Sequence, residues 1–177
     1  PQFAMAREYL TAHNIPYYEV EGFEGDDIIG TLVDFGEKNN LKVSVYTGDK
    51  DAFQLISPQT TIYRTVKGVT ELDIYNEQTL LDKYGLKPDQ IRDFLGLMGD
   101  TADNIPGIKG IGEKTALKLL HQYETIEGLE EHQNELKGKM GEKIRAGMED
   151  ALMSKKVATI LRDVPLDVDL KKAEYEG

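Results

Sequence analysis

Apolar residues recur at helical spacing over residues 3–12, where Phe3, Met5, Ala6, Tyr9 and Leu10 form one stripe. A second stripe of Ile28, Ile29, Leu32, Val33 and Phe35 opens after Glu24-Gly25-Asp26-Asp27. Between them Asn14 marks a turn, and residues 15–20 read as a short strand. Residues 41–47 alternate as a strand and run directly into Gly48-Asp49-Lys50-Asp51. A short helix over 52–56 and a strand over 60–65 follow, and Lys67-Gly68 turns the chain back into a further strand over 69–74. This order of helix, strand, helix, strand, helix, strand predicts an α/β layer with a mainly parallel sheet. From residue 76 the period is helical throughout, with helices expected over 77–84, 88–98, 113–121, 125–135 and 140–162. In the last of these, Ile144, Met148, Leu152, Met153, Val157, Ile160 and Leu161 form the expected buried stripe. The internal boundary falls near 75, giving an α/β part over 1–75 and a helical part over 76–177, packed together as one unit.

Composition narrows the classes. The chain has 177 residues, 40% of them hydrophobic, enough for one well-buried domain or a domain with a small appendage. It has no cysteine, which excludes a disulfide scaffold and thiolate metal sites and fits a reducing cytoplasm. No apolar stretch approaches the roughly 18–20 residues that span a bilayer, so no membrane partner is expected. The start, Pro1-Gln2-Phe3, is neither a signal peptide nor an initiator methionine, and reads as the start of a fragment; Glu174-Tyr175-Glu176-Gly177 likewise reads as a domain exit. The net charge of −11, from 21 basic and 32 acidic residues, argues against nucleic acid unless the charges are segregated.

They are segregated, into three acidic clusters and one basic stretch. Glu24, Asp26 and Asp27 stand at a helix start, where acidic residues complement the helix dipole and Asp is a favoured cap. Asp49 and Asp51 directly follow a strand, at the end where open parallel sheets bind ligands, although a polar turn with Asp51 as cap explains them too. Asp100 and Asp103 lie in Gly99-Asp100-Thr101-Ala102-Asp103-Asn104, which in isolation is a Gly/Asp/Asn turn leaving a helix. It lacks the central glycine and terminal glutamate of an EF-hand. If the strand-end clusters converge within about 10 Å, each close carboxylate pair costs on the order of a few kcal/mol, a burden that divalent cations relieve. An all-carboxylate set without histidine fits magnesium or manganese better than zinc. Two such ions about 4 Å apart activate water and stabilise the leaving oxygen of a phosphodiester.

The most specific stretch is Ile105-Pro106-Gly107-Ile108-Lys109-Gly110-Ile111-Gly112-Glu113-Lys114-Thr115-Ala116-Leu117-Lys118. Glycines 107, 110 and 112 permit close backbone approach, and the chain then enters a helix whose free N–H groups favour a phosphate. Lys109, Lys114 and Lys118 make the segment basic within an acidic chain. This is the pattern of a helix–hairpin–helix over about 98–120, which grips a DNA backbone without reading sequence, although a tight turn between packed helices explains the glycines too. A nucleotide-binding P-loop is excluded, because Glu113 stands where its lysine belongs and no strand precedes it. A second basic patch, Lys137, Lys139, Lys143 and Arg145, could also meet a phosphate backbone, although a solvated helix face accounts for it better. The three serines include no nucleophile elbow, and His13, His121 and His132 have no metal-ligand spacing.

These stretches in this order resemble the 5′→3′ exonuclease domain of bacterial DNA polymerase I, within the flap endonuclease family of PIN-like folds. The matching segments are Glu24 to Gly30, Thr47 to Asp51, Gly96 to Asp100 continuing through Asn104 to Gly107, and Gly110 to Ala116; Ala151 to Lys156 and Asp163 to Pro165 match that domain's last helix and exit. The resemblance implies a PIN-like α/β fold followed by a helical region. It implies that Glu24, Asp26, Asp27, Asp49, Asp51, Asp100 and Asp103 bind two divalent cations, Mg2+ or Mn2+. It further implies that Gly107, Ile108, Lys109, Gly110, Ile111, Gly112, Lys114, Thr115 and Lys118 hold the duplex backbone, with a K+ ion at the hairpin. The implied substrates are DNA with a 5′ flap, a nick or a single-stranded 5′ end, cut in replication and repair; the implied setting is the bacterial nucleoid, with a polymerase domain following. The family begins with a strand carrying an early Asp ligand and a basic arch, and neither precedes Pro1, so the isolated chain is expected to cut weakly or not at all. The alternatives are a non-catalytic fragment that binds DNA backbone through the hairpin, and a magnesium-dependent phosphohydrolase of small phosphoesters.

Overall fold

The structure, a computed structural model, describes residues 2–68 and 70–174. The expected strand start at 69 and the chain ends, Pro1 and residues 175–177, lie outside the described residues. The chain divides into two compact units, Pro1–Asp34 with Leu161–Gly177, and Phe35–Ile160.

In the first unit, α1 (Gln2–Ala12) forms where the helical stripe predicts it, but none of its residues is buried, and Phe3, Met5 and Tyr9 are exposed. It is tied by Arg7, whose guanidinium donates to both Glu19 carboxylate oxygens at 2.9 and 2.7 Å. Asn14 takes a left-handed φ of 55° and turns the chain, as expected. Residues 15–20 form no strand: among the described residues they have no ladder partner, and Pro16 has no N–H to give one. The helix α2 (Gly25–Lys38) starts at the acidic cluster and buries Ile28 and Val33. The returning segment is strapped to α2 by two backbone donors: Leu161 N–H to the Asp27 carboxylate at 2.9 Å, and Val164 N–H to the Thr31 hydroxyl at 3.0 Å. A single turn, α8 (Leu170–Ala173), closes the described part.

The second unit carries the sheet, in the order β1 (Val43–Thr47), β2 (Thr60–Lys67), β3 (Glu71–Tyr75). β1 and β2 are parallel, with Tyr46 opposite Tyr63, and β2 and β3 are the expected antiparallel hairpin. Val45, Ile62 and Tyr75 point into the core. The connection after β1 is a 3-10 helix, Lys50–Leu55, whose residues from Asp51 to Leu55 are all buried. Phe53 anchors it against Tyr75, ring centroids 4.3 Å apart.

Helices then follow as α3 (Glu77–Tyr84), α4 (Gln90–Met98), α5 (Glu113–Tyr123), α6 (Ile126–Glu131) and α7 (Gly138–Ala158). Asn76 caps α3 by accepting from Thr79 N–H at 2.8 Å, and Gly85 ends it in the left-handed region. The helix expected over 125–135 breaks at His132 into α6 and a 3-10 turn, Gln133–Glu135. The long last helix ends at Ala158, short of 162, and its buried edge differs from the expected stripe. Met153 and Val157 are 50% and 58% exposed, whereas Ile144, Met148, Ala151, Ser154 and Ala158 face inward. Gln54 locks its carboxyl end: its side-chain amide donates to the Ala158 carbonyl at 2.8 Å, and its oxygen accepts from Ile160 N–H at 2.9 Å. Asp93 on α4 and Lys155 on α7 form a buried ion pair at 2.7 Å.

Candidate metal centre and phosphate-binding hairpin

β1 delivers Asp49 and Asp51 to its carboxyl end. Thr47 Oγ1 accepts from Asp49 N–H at 3.1 Å, and the Asp49 carboxylate accepts from Asp51 N–H at 3.1 Å, so Asp49 caps the 3-10 helix. Capping by Asp49 thus takes the place of the Asp51 cap weighed from the sequence. Asp51 is carried inward by that helix and is only 7% exposed.

The other two carboxylates come from a loop between α4 and the hairpin. Asp100 and Ile105 exchange both backbone hydrogen bonds at 2.8 Å, clipping residues 100–105 into a closed loop. Within it the Asp100 carboxylate accepts from Ala102 N–H at 2.9 Å, and Asn104 turns the chain at φ 55°. The result places carboxylate oxygens of Asp51, Asp100 and Asp103 within 4.8 Å of one another. Asp51 is pushed up to about 8, first by burial, then by the charge of Asp49 and by the charge and hydrogen bond of Asp103, with Asp100 adding less. Its Oδ1 is buried and has no hydrogen-bond partner. A buried acceptor left without a donor among like charges is the condition that a divalent cation relieves, so the residues present fit such an ion.

Glu24, Asp26 and Asp27 belong to the first unit. They occupy the first turn of α2 and the residue preceding it; the Glu24 carbonyl accepts from Asp27 N–H at 3.1 Å, and the Asp27 carboxylate is engaged by Leu161 N–H.

The hairpin follows the loop of residues 100–105, from Pro106 to Gly112, and leads into α5. Gly107 has φ 62°, and a Cβ there would lie 2.4 Å from the Gly99 nitrogen, so the two backbone segments cross at a distance only glycine allows. Ile108 N–H donates to Leu97 O at 2.9 Å, and Gly107 N–H donates to the buried Ser154 hydroxyl at 3.0 Å, which fixes the hairpin on α7. Ile108 and Ile111 point inward and Lys109, Gly110, Gly112, Lys114 and Lys118 outward, with Thr115 half-buried. Gly112 precedes α5 with no side-chain cap, leaving amino-terminal N–H groups free for an anion. Gly110, at φ 88°, has the Lys143 side chain beside it: a Cβ there would lie 3.1 Å from Nζ.

Ser154 is a hairpin contact that the sequence reading missed, and Lys143 takes the less favoured of the two readings of the second basic patch, beside the hairpin. The second basic patch divides: Lys143 joins the hairpin, while Arg145 turns away and donates to the carbonyls of Gln133 and Leu136 at 2.9 and 2.8 Å. The available signal was small residues at spacings of four and three, Gly147, Ala151 and Ser154, which mark a close approach on one helix face.

The second unit is an α/β layer with a helical part that joins a carboxylate trio with the donor set of a divalent-cation site to a glycine hairpin with exposed lysines. Comparison with known proteins gives the family. A family model described as 5'-3' exonuclease, N-terminal resolvase-like domain, matches residues 1–85, and one described as 5'-3' exonuclease, C-terminal SAM fold, matches residues 86–177. The chain belongs to the 5'-3' exonuclease family. It is 48% identical over 177 residues to DNA polymerase I of Bacillus subtilis (strain 168), and 49% identical to that of Bacillus caldotenax. Each match covers 99% of this chain and 20% of the relative, so the chain spans about a fifth of their length. Among solved structures, T5 5'-exonuclease with bound zinc aligns with a TM-score of 0.75 at 19% identity, over 88% of this chain and 58% of that one. A T5 D15 flap endonuclease with DNA and metal ions aligns at 0.76 and 19% identity, over 89% and 57%. The catalytic core of Rad2 with DNA substrate aligns at 0.62 and 18% identity, over 91% and 57%. These neighbours establish the fold: a small sheet with helices, followed by a helical SAM-like part. Among the described residues no helix is long and apolar enough to cross a membrane.

Proposed function

We propose that this chain supplies divalent-cation ligands and a backbone grip for a 5′ nuclease that hydrolyses DNA phosphodiesters at 5′ flaps, nicks or single-stranded 5′ ends. The observation that carries this reading is the meeting of Asp51, Asp100 and Asp103 within 4.8 Å, with the inner Asp51 oxygen lacking a donor. Asp49 holds the 3-10 helix that presents Asp51 and adds its charge to the cluster. Glu24, Asp26 and Asp27 stay in the proposed ligand set on the family resemblance. Mg2+ or Mn2+ bound at the carboxylates supplies activation of water and stabilisation of the leaving oxygen. Asp51 releases its proton when such an ion is bound, because an adjacent positive charge favours the carboxylate. Lys109, Lys114, Lys118 and the free N–H groups of α5 hold phosphates and fix register, without touching base edges. A K+ ion at the hairpin, a polymerase domain following in the same polypeptide, and work at the nucleoid in the bacterial cytoplasm belong to the same proposal.

The deciding experiment incubates the chain with a labelled 5′-flap duplex and Mg2+ or Mn2+. Cleavage that requires the metal and disappears in Asp51→Asn supports the proposal. Weak or absent cleavage with metal binding that Asp51→Asn removes fits the nuclease reading of a chain expected to cut weakly, whereas duplex binding with neither cleavage nor metal binding favours the non-catalytic backbone-binding unit. Absence of both metal binding and duplex binding contradicts both readings.

A further inference from the structure

The carboxylate loop and the hairpin share one backbone joint in the second unit. Asp100 and Ile105 close the loop by exchanging hydrogen bonds at 2.8 Å, and just beyond them Gly107 crosses Gly99. Asp100 of the trio and the start of the hairpin thus adjoin a single crossing. From outside, α7 holds this joint. Ser154, 0% exposed, accepts from Gly107 N–H at 3.0 Å. Two turns earlier on the same helix, Gly147 leaves room for Ile108, because a Cβ there would lie 2.8 Å from its Cγ2. α7 is in turn set against α4, which leads into the joint: a Cβ on Gly96 would lie 3.0 Å from the Ala151 carbonyl oxygen. Close packing here is the work of small residues, and alanine at 154 would serve it equally. What the hydroxyl adds is a fixed acceptor for one amide of the joint.

We propose that Ser154 is a positioning residue: by holding Gly107 it keeps the hairpin at a set spacing from Asp51, Asp100 and Asp103, so that one duplex engages the cation and the hairpin lysines together. The assignment rests on the nuclease reading above. A cation at the trio and lysines at the hairpin are two contact points for the same DNA. Two contacts joined rigidly at the matching span let the second form at high effective concentration, and slack in the joint lowers that advantage. Ser154 is buried and meets neither DNA nor the cation; it acts through Gly107. Each contact point keeps its own groups without it, the carboxylates at one and Lys109, Lys114 and Lys118 at the other. Loss of the hydroxyl is therefore a loss of coupling between the two.

The test compares the full wild-type chain with Ser154→Ala in three affinities: for Mn2+ alone, for a 5′-flap duplex in EDTA, and for the same duplex in Mn2+. Fluorescence anisotropy reads the duplex from a label on the strand without the flap, so cleavage leaves the reporter in place. In the wild type, Mn2+ is expected to tighten duplex binding by roughly tenfold or more. In Ser154→Ala the two separate affinities are expected to stay within about twofold of wild type, while the Mn2+ enhancement falls about fivefold. Ser154→Cys keeps a weaker acceptor and is expected to fall between the two. It carries the same test if thermal unfolding shows the alanine variant unfolded at the assay temperature. No enhancement in the wild type, an enhancement in the variant as large as the wild type's, or a fall matched by equal falls in both separate affinities overturns the assignment. The last result would make Ser154 a residue of stability only. A wild type that binds neither Mn2+ nor duplex removes the nuclease reading beneath it, whereas wild-type binding of both with an unaltered variant removes the positioning role alone.

Discussion

The second unit buries two aspartates that resolve the same electrostatic problem in opposite ways. Asp93, on α4, is 1% exposed and fully partnered: it accepts from Ile126 N–H at 2.9 Å and pairs with Lys155 at 2.7 Å. Lys155 also reaches Glu127 at 2.8 Å, and although burial pulls its amine down, the hydrogen bonds to Asp93 and Glu127 outweigh burial and raise it overall. Asp51 is nearly as buried, yet the charges acting on it are those of Asp49, Asp103 and Asp100, all acidic. One carboxylate joins two helices. The other is held at an energetic disadvantage at a strand end, as a site awaiting a cation is. The difference shows that burial of a carboxylate identifies neither role, and that the sign of its neighbours identifies both.

The largest effect is expected from breaking the structural pair. Lys155→Met leaves Asp93 buried and unpaired and should destabilise the chain by about 3–5 kcal/mol in denaturant unfolding. Adding Asp93→Asn should recover part of that loss. At the other aspartate the sign reverses. Asp51 sits at about 8 in the folded chain against an ordinary 3.8, so its contribution is fully present below pH 4 and is lost as the pH rises through about 8. Metal-free protein should therefore lose stability across that window, and Asp51→Asn should abolish the dependence and be more stable than wild type at pH 9 by on the order of 1 kcal/mol or more. An Asp51→Asn protein less stable than wild type at that pH would show that the carboxylate is structural after all. A smaller change is expected at the hairpin: Lys143→Ala should weaken duplex binding severalfold and lower the salt slope by about 1, with no effect on metal affinity. The smallest belongs to Arg145→Ala, which loses two hydrogen bonds to carbonyls at an exposed site and should cost about 1 kcal/mol while leaving DNA binding unchanged. Equal losses of DNA binding in the Lys143 and Arg145 variants would erase the distinction drawn between them.

Elements with strong local signals were legible in the sequence. The alternation in 41–47, the Lys67-Gly68 turn and the glycine-rich hairpin all lie where local pattern placed them. The failures share a cause, that an apolar period was taken for burial. On α7, Met153 and Val157 belong to the apolar stripe, but the inward face is set by Ala151, whose backbone lies against Gly96 of α4, and by Ser154, whose hydroxyl accepts from Gly107 of the hairpin. On α1 a regular apolar stripe remains exposed, because periodicity describes a face and does not supply a partner for it. At the site, the residue types of Asp51, Asp100 and Asp103 were readable, but their meeting was not. It depends on the 3-10 helix that carries Asp51 inward and on the Asp100–Ile105 clip, both of which are tertiary. The Asp93–Lys155 pair was invisible for the same reason, since its partners stand 62 positions apart in the chain.

The central claim is that Asp51 waits for a divalent cation, and its most direct test is thermal unfolding at pH 7 with and without Mn2+, for wild type and Asp51→Asn. At an ion concentration about 100 times the dissociation constant, a single bound ion adds about 2.7 kcal/mol, a Tm rise of roughly 5–10 °C for a chain of this size. The account predicts that rise in the wild type and no response in Asp51→Asn. An equal rise in both proteins, or none in the wild type, contradicts it.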